Sequence, residues 1–326
     1  MANQTAIAVR SACGDASGGF VGTGSQVTSD REDTVANLRE TAKRVVGAIG
    51  DVKGLDRISQ PVADLVRRAT GPELVKNALS GTWLGHPVHP MLTDVPIGAW
   101  VMASTLDWTA GDKAQETARH LVGLGLLTAV PTAAAGASDW SDTVGSDQRV
   151  GVVHGLANLT ATCLQVMSWT ARRRGHHAAG RALSAAGLGI TMGSSYLGGY
   201  LSYTRGIGVN RTAFEATVTE WVDVAELSDL SADKPTRVSA DGVPVVLVRR
   251  EGSVDALSAT CVHAGGPLDE GELVDGCIRC PWHASTFRLT DGKVVRGPAT
   301  VDQPSWQVKI DQGRVFVRSS SAHETP

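Results

Sequence analysis

The rhythm of apolar and polar positions changes twice along this chain. Over residues 33–49 it is helical: Asp33 or Thr34 can cap, and Val35, Leu38, Ala42, Val45 and Val46 recur on one face. Two further amphipathic helices are predicted over 57–69 and 72–79. From Gly81 the pattern becomes long and apolar, with four stretches at about 91–110, 118–138, 150–171 and 182–203. Each approaches the roughly 20 residues that cross a bilayer. Charges gather in the breaks 111–116, 139–149 and 172–181. After a polar connector the rhythm shortens to alternation. Strands are predicted at 218–224, 244–249, 253–258, 277–279, 286–289, 293–295, 306–310 and 314–317, with turns at Asp241-Gly242, Asp291-Gly292 and Gln312-Gly313.

This pattern predicts a multidomain chain, an all-α four-helix bundle followed by a small all-β domain. The divisions are a tail at 1–30, an amphipathic helical segment at 31–80, the bundle at 81–204, a linker at 205–216, the β domain at 217–320 and a tail at 321–326. The four stretches are rich in Gly, Ala, Ser and Thr, as close-packed membrane helices often are. A membrane bundle is the favoured reading. A soluble bundle with small buried residues competes, since Asp94 and Asp107 sit in or beside the first stretch.

Composition narrows the function. With 30 basic and 33 acidic residues the net charge is −3, which removes the basic excess of a nucleic-acid binder. Five scattered cysteines are too few for a disulfide scaffold. Residues 1–24 show no secretory leader.

The chemistry is concentrated in the β domain. Cys261-Val262-His263 is followed, sixteen residues on, by Cys280-Pro281-Trp282-His283. Two loops that each offer one Cys and one His meet the needs of a 2Fe–2S cluster with two thiolates on one iron and two imidazoles on the other. Gly265-Gly266-Pro267 and Pro281 make tight loops that turn amides toward sulfur, and Gly297-Pro298 offers a third covering loop. Cys277, three before Cys280, keeps a C-x-x-C zinc site open as the competing reading.

Residues 261–268 and 280–287 resemble the two loops of Rieske ferredoxins and of the Rieske domains of ring-hydroxylating dioxygenases. The resemblance covers roughly residues 216–320. It implies that Cys261 and Cys280 hold one iron and His263 and His283 the other. The respiratory subtype adds one Cys to each loop and joins them. Gly266 and Trp282 stand at those positions here, so that disulfide is excluded. Ser285 matches a serine that hydrogen-bonds a bridging sulfide, whereas Phe287 replaces a tyrosine hydroxyl near a ligand thiolate. Fewer hydrogen bonds to sulfur imply a potential toward the low end of the Rieske span, about −150 mV to 0.

The bundle opens on Gly85-His86-Pro87-Val88-His89-Pro90. Together with Asp139-Trp140, His154 and Gly198-Gly199-Tyr200-Leu201, it resembles a predicted four-helix membrane-protein family of unknown function that also occurs fused to Rieske domains. A histidine is common in that family where Tyr200 stands. Four crossings would place His86, His89, Asp94, Asp139, His154 and Tyr200 on the membrane side from which the β domain leaves. These residues either cap and pack helices or hold haem b, another metal or a quinone. The expectation is a multi-pass membrane-anchored one-electron carrier, with its partners being membrane lipid and unidentified redox proteins. A cytoplasmic Rieske domain is the expected orientation. Two alternatives stand beside it: a Rieske-type oxygenase component and a zinc-stabilised β domain on a membrane anchor.

Overall fold

The computed structural model describes residues 24–320. The expected tails at 1–30 and 321–326 lie mostly outside the described residues, and from Gly24 the chain is already helical. Two compact units divide at Gly47/Ala48, and both the bundle and the β domain belong to the second.

Seven α-helices are described, and the four expected stretches account for the last four. The first three are α1 (Gly24–Asp51), α2 (Asp56–Thr70) and α3 (Glu73–Ser80). The long helices are α4 (Val88–Thr109), α5 (Gln115–Ser141), α6 (Gly145–Arg173) and α7 (His177–Gly199). A π-helical turn, Tyr200–Thr204, prolongs α7. By length and composition, two helical spans among the described residues can cross a membrane, Gly111–Ser141 and Gly145–Arg173.

The bundle is apolar outside and small or polar inside. Its buried positions include Thr132, Ser138, Gln165, Ser168, Ser184, Thr191 and Ser194, whereas Leu124, Leu127, Val130, Leu159, Val166, Met167 and Met192 are exposed. Buried side chains pair across helices: Ser184 Oγ donates to Gln165 Oε1 at 3.1 Å and Ser168 Oγ to the Gly180 carbonyl at 2.7 Å. At the end far from the β domain, Arg172 forms a buried ion pair with Asp107. At the near end Lys76 on α3 pairs with Asp142, just past α5. Arg149 in the first turn of α6 holds Asp56 at the start of α2 through two bonds, 2.7 and 2.9 Å.

The β domain is three antiparallel sheets. β1 (Val222–Glu226), β10 (Arg314–Ser319) and β9 (Trp306–Asp311) form the first. β2 (Pro235–Ala240), β3 (Val243–Arg250) and β4 (Ser253–Ser258) form the second. β5 (Glu272–Val274), β6 (Cys277–Arg279), β7 (Thr286–Arg288) and β8 (Val294–Arg296) form the third. β2 and β5 escaped the sequence reading. β3 reads Val243-Pro244-Val245-Val246-Leu247-Val248 because both its faces are buried: Val245 and Leu247 enter one core, Val246 and Val248 the other. That second core lies beneath the Cys261 and Cys280 loops.

Candidate metal centre

The two loops have one backbone design. Cys261 N–H donates to the Gly266 carbonyl (2.9 Å) and Gly265 N–H returns to Cys261 (2.9 Å). Cys280 N–H donates to Ser285 (2.8 Å) and Ala284 N–H returns to Cys280 (3.0 Å). The fifth position of each loop is left-handed, Gly265 at φ 81° and Ala284 at φ 59°. A non-glycine residue there is uncommon and strained, and the surrounding bonds hold it. The equivalence is hidden in the sequence because the histidine stands two residues after Cys261 but three after Cys280.

This geometry turns amides onto sulfur. Cys261 Sγ faces the amides of His263 and Ala264, and Cys280 Sγ those of Trp282 and His283. The two thiols face each other closely enough to influence one another. That contact and the amides draw the Cys280 thiol below its ordinary range, whereas the same contact and burial push Cys261 up. Burial pushes His263 down to about 4, with the neighbouring His283 adding to the effect, and burial also lowers His283. Both imidazoles are therefore neutral near pH 7, as ligation requires. Their rings meet edge to face, 5.1 Å between centroids and 86° between planes.

His283 Nδ1 is buried and has no hydrogen-bond partner. A buried polar atom left in this state needs a partner from outside the protein. Two facing thiols and two neutral imidazoles are the donor set of a dinuclear cluster, with two protein ligands per iron. Among the described residues, no group of three or more His, Cys, Asp and Glu side chains is placed to hold a single metal ion. Cys277 lies on β6, with its thiol toward the Asp275 carbonyl at 3.8 Å, and is not part of the thiol pair.

The surrounding residues fall where the loops need them. Pro267 lies in an antiparallel bridge with Thr260. Ser285 Oγ is fully buried and accepts from Ala299 N–H at 3.0 Å, tying the second loop to the one containing Pro298. Phe287 is wholly buried in the core that includes both cysteines. The sequence reading missed Gln303. Its Oε1 accepts from Val262 N–H (3.1 Å) and its Nε2 donates to Ser258 and Thr260 (2.8 and 2.7 Å), pinning the first loop from below. A lone glutamine outside any motif carries no signal of this.

Residues 220–307 match the family model described as Rieske [2Fe-2S] domain. The ferredoxin component of the naphthalene 1,2-dioxygenase/salicylate 5-hydroxylase systems of Ralstonia sp. is 31% identical over 98 residues, which are 30% of this chain and 94% of that protein. The chain belongs to the Rieske family. Its Rieske domain binds a 2Fe–2S cluster. Human apoptosis-inducing factor 3 is 35% identical over 97 residues, again 30% of this chain but only 16% of that protein's length. A ferredoxin of carbazole 1,9a-dioxygenase from Nocardioides aromaticivorans is 31% identical, covering 31% of this chain and 98% of that one, at a TM-score of 0.30. The Rieske domain follows a second family, since residues 85–211 match the model described as Predicted membrane protein (DUF2231).

Among the described residues, no three His, Cys, Asp or Glu side chains of the bundle are placed to hold a metal ion, while His89 and His154 lie within electrostatic reach of each other. His86 and Asp94 are exposed. The His89 ring lies against Gly136, and its Nδ1–H donates to the Thr132 carbonyl at 2.9 Å. His154 lies against Gly198, donates from Nδ1 to Ser194 (2.8 Å) and accepts at Nε2 from Asn158 (3.1 Å). Both ring nitrogens of His154 are thus engaged, so a haem held between His89 and His154 does not fit. Asp139 lies in the electrostatic field of Lys76 and Asp142. Tyr200 opens the π-helical turn.

Proposed function

We propose that the chain is a membrane-anchored one-electron carrier. In this reading Cys261 and Cys280 hold one iron of its cluster and His263 and His283 the other. When bound, such a cluster supplies reversible one-electron transfer at the histidine-ligated iron. The chain's own residues set the conditions. Two amides per sulfur stabilise thiolate charge, burial keeps both imidazoles neutral, and the Ser285 and Gln303 bonds hold the loops in register. The observation that carries the reading is the pairing of two facing thiols with two neutral imidazoles, one of which has an orphaned buried Nδ1. Similarity to a dioxygenase ferredoxin component supports electron carriage, with redox proteins as partners.

The inverted bundle supports the anchor. Soluble bundles bury Leu, Val and Met, whereas α4–α7 turn many of theirs outward and bury Ser, Thr, Gln and Ala. At about 1.5 Å per residue, the 22 residues of α4 and 23 of α7 rise about 33 and 35 Å, enough to span the hydrocarbon core. We assign the division as bundle to residue 204, connector 205–216 and Rieske domain 217–320. The α4 start and the α7 end then share one membrane side with the Rieske domain. We place that side in the cytoplasm, where clusters are assembled, and reporter fusions after residue 174 and after residue 320 test the assignment.

The deciding experiment uses detergent-purified full-length chain, oxidised and dithionite-reduced. Optical and low-temperature EPR spectra are recorded, and iron and zinc are assayed on the same sample. A reduced-state signal at the low average g of a histidine-ligated cluster supports the reading. An iron-free, zinc-loaded, spectrally silent protein overturns it.

A further inference from the structure

His263 and His283 are half-buried, and helical residues stand beside their edge of the centre. The Asp142 backbone stands against the His283 ring. Both imidazoles lie in the field of Lys76 and Asp142. Lys76 Nζ reaches Asp142 Oδ2 at 2.6 Å and Ser138 Oγ at 3.2 Å, and the Lys76 and Asp142 side chains are 5% and 6% exposed. Removing two charges from water is unfavourable, so this pair marks a tightly closed contact.

Around the pair, the helical residues grip the third loop of the centre. Asn77 donates to the Val295 carbonyl at 3.0 Å and accepts from Gly297 N–H at 2.8 Å. Thr82 Oγ1 donates to Ala299 at 3.0 Å, and Arg296 donates to Gly71 at 3.1 Å. A β-carbon on Gly297 would lie 2.8 Å from Thr82 Oγ1 and 3.5 Å from the Ser80 side chain, so the third loop meets these helical side chains with little room for a further atom. From the connector, Arg211 N–H donates to the Val262 carbonyl of the first loop at 2.9 Å.

His283 Nδ1 is buried without a partner of its own, and the Asp142 backbone lies beside the same ring. We propose that α3 and the turn between Ser141 and Gly145 are the built-in occupant of the histidine edge. That edge is closed to soluble redox proteins and opens only toward the chain's own helical domain. A protein partner must then approach elsewhere. Trp282, 56% exposed and with its ring centroid 6.4 Å from that of His283, marks the free side. The proposal rests on the ligand set given under Proposed function.

The test measures access to the reduced cluster. EPR power saturation is recorded on full-length, dithionite-reduced protein in detergent, with and without the water-soluble paramagnet dysprosium–EDTA. The wild type is compared with Asn77→Asp/Thr82→Glu, which sets carboxylates against the Val295 and Ala299 carbonyls. The expected result is a relaxation enhancement severalfold larger in the variant at equal cluster content. Equal enhancement in the two proteins overturns the proposal. If the double variant loses its cluster, Gly297→Val, which wedges the same contact, is read by the same criterion. A wild type with no histidine-ligated signal refutes the ligand set instead, so the two failures are distinct.

Discussion

Gly266 gives up its side chain to Cys280: a β-carbon on Gly266 would lie 2.8 Å from Cys280 Sγ and 3.1 Å from the Trp282 ring. The first loop thus leaves room for the sulfur of the second. Gly266→Ala forces that sulfur to move. The expected outcome is loss of most of the cluster, read as iron per chain and as the reduced EPR signal, with far-UV circular dichroism unchanged. Full cluster occupancy would show that the loops can spread at little cost.

The ligand set makes a sharper demand. Cys280→Ala and His283→Ala should each abolish the histidine-ligated signal. Cys277→Ser should leave it near wild-type intensity, because the Cys277 thiol lies on β6 outside the thiol pair. Loss of all iron from Cys277→Ser alone would overturn the assignment.

Phe287 places no hydroxyl in the core that holds Cys261 and Cys280. A hydrogen bond to a ligand sulfur stabilises the more negative reduced cluster. The wild-type potential is therefore expected between about −150 mV and 0, and Phe287→Tyr should raise it. Redox titration followed by EPR decides. A wild-type value above about +200 mV contradicts the argument.

Acid stability follows from the imidazoles. Burial pushes His263 down to about 4, and ligation would favour the neutral ring further. A lowered histidine stays neutral at every pH above that value and meets proton competition only below it. Visible absorbance should hold from pH 8 to pH 5 and bleach only as the pH falls through about 4. Bleaching already at pH 6 would show the rings to be more exposed than they are here.

Leu127, near the middle of α5, is 72% exposed. On a soluble surface Leu127→Arg changes stability by about 0.5 kcal/mol or less. At mid-bilayer the charge costs on the order of 2.5–3.5 kcal/mol. The expected result is a marked loss of membrane-extracted protein relative to Leu127→Ala. Equal yields in the membrane fraction contradict the anchor.

The cluster motif, the four long helices and most strands were legible in the sequence because each depends on local spacing. Cys261, His263, Cys280 and His283 lie in short loops whose residue types and spacing already pointed to the proposed donor set. Strand β3 announced itself as a continuous apolar run. The turn at Asp275-Gly276 has the same dipeptide as the one at Asp241-Gly242, yet its three-residue strands are too short to alternate visibly, so β5 was missed.

Tertiary structure alone decided what happens across long separations. Asn77 meets Gly297, and Lys76 meets Asp142 beside His283, through contacts spanning 220 and 66 residues that no local period encodes. The same holds for Gln303 beneath the first loop. The histidines of the bundle looked alike as candidates for a second redox site, and only the fold separates them. His154 has both nitrogens satisfied by Ser194 and Asn158, whereas His86 lies at the surface. Residue type and spacing set which chemistry a segment can offer, but burial and hydrogen-bond partners set which of it is used, and those come from parts of the chain far apart in sequence.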